Sequence, residues 1–223
     1  MKDCLLTNRV CIAPAELREA YRLRYLSYVE KGFIASNEDE LFFDKFDALP
    51  NSITFGLFAG NQMTGTMRAS VFAPDWKWDE IPAKLKYPAE FAAWAANNAI
   101  VVEWGRFAIH PSWREFILKI ELALLGGVPF LASLLPDPSF VCAVRDEHMK
   151  FYNRFGYERI SDFAKDRQLA FSSALMAMRW KLHAERIQVH RTFSRCYEYQ
   201  PKLSDLNPHE RAQFEARFPT AKP

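Results

Sequence analysis

The run Val101-Val102-Glu103-Trp104-Gly105-Arg106-Phe107-Ala108-Ile109-His110-Pro111 decides how this chain folds. Its β-branched and aromatic residues read as a strand from residue 100 to 109, stopped by the His-Pro pair. A glutamate inside so apolar a strand needs a partner. Glu103 and Arg106 are three apart, so a regular strand sends them to opposite faces. Gly105 between them permits a bulge that turns both toward one cleft, or leaves one structural and one catalytic.

Upstream, residues 53–58 and 63–68 flank Gly60-Asn61, which predicts a β-hairpin with Arg68 on its second strand. Residues 72–98 carry Trp76, Trp78, Pro82, Pro88 and Trp94 and read as an excursion with one short helix over 89–96. Residues 35–51 are polar and acidic and end in Pro50-Asn51, a loop long enough to require a function or a tether. Within it, Asp44 and Asp47 straddle Phe46, so an aromatic anchor can turn two carboxylates inward; alone, the same pattern suits a solvated acidic loop. Leu17, Tyr21, Tyr25, Tyr28 and Val29 recur at helical spacing, which predicts a helix over 15–31 that starts near Pro14 and stops at Gly32. A short strand over 9–12 precedes it. Arg24 and Tyr28 share a face of that helix, either as a cation and a phenol for one cleft or as an Arg lying over a buried Tyr. Downstream come a helix over 113–125, a strand over 140–144, a helix over 147–155, a strand over 157–160 and an apolar closing segment over 169–182. A hairpin first and alternating strands and helices later give a mixed α/β sheet.

The 223 residues, 49% of them hydrophobic, suffice for one domain with a real core. A net charge of +2 is too small to argue for non-specific binding to nucleic acid. Cys4, Cys11, Cys142 and Cys196 are scattered, and neither they nor the five histidines show metal-ligand spacing, so no metal site and a reducing, cytoplasmic setting are expected. The apolar run 122–135 is interrupted by Gly126-Gly127 and Pro129 and falls short of about 18 residues, so no membrane span is expected. After residue 183 the composition shifts toward Arg, His, Gln, Tyr and Pro, which reads as a loosely packed C-terminal extension or, more sharply, as a lid or partner contact.

Taken together, Arg24-x-x-x-Tyr28, Asp44-x-x-Asp47, Arg68 and Glu103-x-x-Arg106-Phe107, followed by Phe151-Tyr152-Asn153-Arg154-Phe155-Gly156-Tyr157, resemble the polar set of the acyl-homoserine-lactone synthases and the long-chain N-acyl amino acid synthases of the GNAT superfamily. The resemblance covers about residues 18–157. It implies a GNAT fold over 1–182, a mixed central sheet flanked by helices and splayed between its central strands, with 183–223 as the extension. It also implies an N-acyltransferase that moves a fatty acyl group from a thioester to the amine of an amino acid or similar acceptor. Glu103 would then be the base, Arg106 an orienting cation and Tyr152 the acid for the departing thiolate. Arg24, Tyr28, Phe33, Asp44, Phe46, Asp47, Arg68, Phe107 and Ile109 would surround the substrates, with backbone N–H groups of 107–109 facing the oxyanion.

Phe33 stands where the lactone synthases have Trp, and Tyr28 where they usually have Phe. Both features look closer to the N-acyl amino acid synthases and argue against S-adenosylmethionine as acceptor. The GNAT pyrophosphate loop is usually glycine-rich, because glycines let N–H groups approach a phosphate. Residues 110–116 contain no glycine. That favours an acyl carrier protein, with its single phosphopantetheine phosphate, over coenzyme A as donor. Arg114, Lys119, Lys150, Arg154 and Arg159 read as a patch for such an acidic partner or as scattered solvated charge. The 19 Phe residues are enough to line an acyl tunnel as well as a core. The alternatives are an autoinducer synthase acting on S-adenosylmethionine and a non-catalytic GNAT-like binding module.

Overall fold

Gly60 takes φ 60° at the first position of the two-residue turn, where a left-handed backbone suits glycine, and joins β2 (Ser52–Ala59) to β3 (Gln62–Phe72). The computed structural model describes residues 5–166, 168–180 and 194–218. With β1 (Leu6–Cys11), β4 (Val101–Ile109), β5 (Ser139–Val144), β6 (Glu158–Arg159), β7 (Ala164–Lys165) and β8 (Ser172–Arg179), this hairpin forms one sheet. The order is β1-β2-β3-β4-β5-β8-β6, with β7 also on β8. Every pairing is antiparallel except β4 with β5, which is parallel and needs a helical crossover. The expected mixed sheet is therefore present.

Helix α1 (Pro14–Glu30) starts at a proline and ends where expected. Gly32, at φ 67°, donates its N–H to the Val29 carbonyl (2.9 Å), and Phe33 donates to Tyr28 (2.8 Å), a Schellman ending that seats Phe33 beside Tyr28. On the same sheet face lie α2 (Pro82–Lys86) and α3 (Pro88–Ala95). One helix was expected here; the structure has two, because Pro82 and Pro88 each occupy a first helical turn, where the missing N–H costs nothing.

The opposite face is covered by α4 (Ile117–Leu124), α5 (Gly127–Leu134) and α6 (Met149–Asn153). Helix α5 was not anticipated: Gly126-Gly127 reads as a stop but answers a packing demand. A Cβ on Gly126 would lie 2.4 Å from the Tyr199 carbonyl oxygen, and one on Gly127 3.2 Å from the Trp104 ring. The helical stretch Pro111–Leu134 is long and apolar enough by composition to cross a membrane, but most of its apolar window is buried, the position of a core element. Loose packing of the C-terminal extension is also corrected over its described part. Cys196 and, from α7 (Pro208–Arg217) and its end, Phe214 and Phe218 are buried in the same core as the sheet. The histidines at 183 and 190 lie outside the described residues.

Candidate active site

The bulge in β4 sets the geometry. Thr66 stands opposite Ala108 and Arg68 opposite Gly105, so Met67 alone faces both Arg106 and Phe107. The extra residue inverts the side-chain alternation. Before it, Val102 and Trp104 point to the α4–α5 core and Glu103 to the other face; after it, Phe107 and Ile109 join the α4–α5 side and Ala108 the α1 side. Gly105 does not carry the left-handed conformation. Arg106 does, at φ 56°, and a side chain there costs about 1–2 kcal/mol. The bulge is thus where the sequence placed it, with the strain on the charged residue.

The strain is held by ion pairs. Asp44 and Asp47 cap a short 3-10 helix, Lys45–Ala48: the Phe46 N–H donates to Asp44 Oδ1 (2.9 Å) and the Asp44 N–H to Asp47 Oδ2 (2.9 Å). Phe46 is buried between them, the anchor expected. Arg24 Nη1 meets Asp47 Oδ1 at 2.7 Å, and Arg106 Nε meets Asp44 Oδ2 at 2.9 Å. A single nitrogen of Arg68, Nη1, spans both acids, at 2.7 Å from Asp44 Oδ1 and 3.0 Å from Asp47 Oδ2. Arg24 is wholly buried, and Arg68 and both aspartates nearly so. Burial pushes the Asp44 carboxyl up, but the charges and hydrogen bonds of Arg68 and Arg106 outweigh it and hold the group at about 2. Asp47 is lowered likewise: burial opposes, and Arg24 and Arg68 prevail. Three guanidiniums face two carboxylates.

Glu103 sits beside this cluster, opposite Ser70 on β3, with Arg68 two residues away on the same face. Its Oε2 accepts the Ala83 N–H from α2 at 2.6 Å. Burial raises the carboxyl to about 7, although the Ala83 N–H and the Arg68 and Arg106 charges pull the other way.

Pairing between β4 and β5 runs from Val101↔Ser139 to Trp104↔Cys142 and stops. From Gly105 onward that edge of β4 has no strand beside it among the described residues, which is the splay expected between the central strands. The His110 N–H donates to the Thr64 carbonyl on β3 (2.9 Å), so by strand alternation the Ile109 N–H points to the open edge. The Tyr28 hydroxyl donates to the Phe107 carbonyl (3.1 Å), tying α1 to the bulge. Nearby, Gly32, Phe33, Ala35, Gln168 and Ala170 line an open cleft of about 520 Å³. Arg106 Nη2 donates to Gln168 Oε1, which joins the cleft to the charged cluster.

Tyr152 is not brought to that cluster. It lies on α6, on the α4–α5 side of the sheet, with its ring 5.6 Å from that of Tyr157. Burial raises its hydroxyl well above the ordinary range, with Cys142 and Glu121 adding to the effect. Several contributors escaped the sequence reading. Ala83 acts through its backbone, which no side-chain pattern reveals. Gln168 sits in an unremarkable turn. Arg145 stacks over Phe33 with its guanidinium carbon 4.7 Å from the ring centre; a basic residue directly after a strand that borders the splay was the available signal. Among the described residues no group of three or more His, Cys, Asp or Glu could hold a metal ion.

Comparison with known proteins gives this geometry a lineage. The family model described as "N-acyl amino acid synthase FeeM" matches residues 19–179, which hold every charged residue of the cluster. Among solved structures, FeeM, an N-acyl amino acid synthase from uncultured soil microbes, superposes with a TM-score of 0.66 at 21% identity, covering 85% of this chain and 97% of that one. BjaI, a coenzyme A-dependent acyl-homoserine lactone synthase, gives 0.56 at 12% identity over 86% and 99% of the two chains. The lactone synthase LasI gives 0.54 at 19% identity over 78% and 88%. No curated protein matches the chain. The family match spans most of the sequence and the GNAT-type fold agrees with it: the chain belongs to the FeeM family of N-acyl amino acid synthases and is an N-acyltransferase.

Proposed function

We propose that the chain moves a fatty acyl group from a phosphopantetheine thioester to the amine of an amino acid, with Glu103 as general base. The observation that carries this reading is a buried carboxyl, Glu103, on the same sheet face as the Arg24, Arg68 and Arg106 cluster, where burial pushes it up to about 7. An α-ammonium of pKa about 8 needs only modest help from such a base, directly or through water. Arg106, the most exposed of the three arginines, meets the acceptor's carboxylate. The freed amine attacks the thioester carbon, the Ile109 N–H at the open edge supports the oxyanion by about 3 kcal/mol, and the C–S bond breaks. The thiolate takes its proton from Tyr152 and the phenolate recovers one from solvent; burial, which holds this phenol well above the ordinary range, makes that transfer the more demanding step.

For the donor, we favour an acyl carrier protein. Residues 110–116 form a 3-10 turn without glycine before α4, a poor cradle for a pyrophosphate. Ile117 and Leu118 are exposed at the start of α4, close in sequence to the basic residues Arg114 and Lys119. Coenzyme A is the competing donor, since BjaI and MesI are coenzyme A-dependent. Cys11, Cys142 and Cys196 are free and buried, in keeping with a reducing cytoplasm.

Thiol release measured with octanoyl carrier protein and with octanoyl-coenzyme A, against each amino acid and S-adenosylmethionine in turn, tests both substrates. Release that requires an amino acid and is faster with the carrier protein is expected. Release only with S-adenosylmethionine would move the chain to the lactone synthases.

A further inference from the structure

The family match ends at residue 179, yet the C-terminal segment returns to the site. Arg217, the last residue of α7, donates from Nη2 to the carbonyls of Ser52 (2.8 Å) and Leu49 (3.2 Å), and from Nε to that of Pro50 (3.4 Å). These three oxygens converge because the chain turns immediately after the Asp44–Asp47 capping helix, with the Ser52 N–H donating to Leu49 (3.1 Å). A basic residue at a helix end ordinarily serves its own helix's last carbonyls. Arg217 serves another segment's. Among the described residues it has no carboxylate partner, and Asp47 lies across a small cavity of about 30 Å³ that Thr54, Phe214 and Phe218 also line.

The next residue grips the other wall. Phe218 stacks on Phe214 (5.1 Å) and meets Trp78 edge-on (4.9 Å). Trp78 pairs with Ala73 in the arm that leads to Ala83, the partner of Glu103. Asn51 ties loop and arm together, its Nδ2 donating to Val71 (2.8 Å) and Glu80 (2.9 Å).

We infer that Arg217 is a positioning residue for the acyltransferase site: it fixes the turn 49–52 and thereby the register of Asp44 and Asp47 against Arg24, Arg68 and Arg106. The inference rests on the reaction proposed above for its kinetic part and on geometry alone for its structural part. Phe218 braces the Glu103 side of the same site.

The test uses the full chain with Arg217→Gln, Arg217→Lys and Phe218→Ala, read by hydrogen exchange and by acyl-transfer kinetics. Arg217→Gln should speed exchange over residues 44–52 by about tenfold while leaving β4 and β5 unchanged, the loss of hydrogen bonds to one charged group. KM for the amine should rise by a similar factor, with a smaller change in kcat, and Arg217→Lys should restore part of both. Phe218→Ala should loosen 73–83 rather than 44–52. Exchange that rises evenly over the whole sheet, or an unchanged KM in Arg217→Gln, would overturn the inference. Should Arg217→Gln not fold, Arg217→Lys carries the same two readouts at smaller amplitude. Altered exchange at 44–52 in a protein that acylates no amine would uphold the clamp and sink the proposed reaction instead.

Discussion

At the scale of single residues, the site divides between a carboxyl that burial leaves undecided and two that arginines keep ionised. Glu103 titrates near 7 in the fold against an ordinary 4.5, so the native state holds its proton more tightly and stability falls as pH rises between those values. Urea unfolding should show the wild type losing about 1 kcal/mol or more between pH 5 and pH 8 through this group, and Glu103→Gln, which still accepts the Ala83 N–H, lacking that loss. The same variant should lose acyl transfer, and the wild-type rate should climb through pH 7. Asp44 behaves oppositely. Its pKa is depressed, so its contribution is complete above about 4 and disappears as pH falls through about 2. Asp44→Asn leaves Arg68 and Arg106 without a buried counter-charge and should cost about 3 kcal/mol or more in chemical denaturation. These charges were legible in the sequence because Arg68, Glu103 and Arg106 interrupt apolar strands and Asp44 and Asp47 flank Phe46 in an acidic loop. Their pairing was not, because a side chain's type does not say which of two carboxylates it reaches.

At the scale of elements, the β4 bulge does most to shape the site. It places Glu103 and the charged loop on one face and lets β4 run on past β5 with an open edge. Arg106 bears its left-handed backbone, so Arg106→Gly should be about 1 kcal/mol more stable than Arg106→Ala in thermal melts, although both lose the guanidinium and should be poor catalysts. Equal stability would mean that the strain is absent. The period-two pattern and Gly105 allowed for a bulge but did not show that Arg106 carries its left-handed backbone, since glycine permits a conformation without requiring it. The prolines and glycines misled in the same way. Pro82 and Pro88 start helices, and Gly126 makes room for another backbone. Local rules see a breaker in each; only the tertiary partner shows which role is filled.

At the scale of the whole molecule, an α1–α3 layer and an α4–α6 layer enclose a sheet that is closed at one end by pairing and open at the other by splay, and the C-terminal segment braces the paired end. Gly126→Ala should test that brace: a Cβ 2.4 Å from the Tyr199 carbonyl forces the 196–199 segment away and should cost about 1–3 kcal/mol, with Cys196 becoming reactive toward a thiol reagent. The mixed α/β sheet was legible because hairpin and crossover signals are local. The docking of residues 194–218 was not, because a segment rich in Arg, Tyr and Pro can fold back through a few buried aromatics that no periodic pattern announces. What the molecule does with this architecture is best measured by mass spectrometry of lipid extracts from cells producing the wild type, Glu103→Gln or Arg106→Ala. New N-acyl amino acids confined to the wild type are the result expected of a family member whose base is Glu103. Equal amounts from wild type and Glu103→Gln, or no acylated amine from the wild type when supplied with both donors, would contradict it.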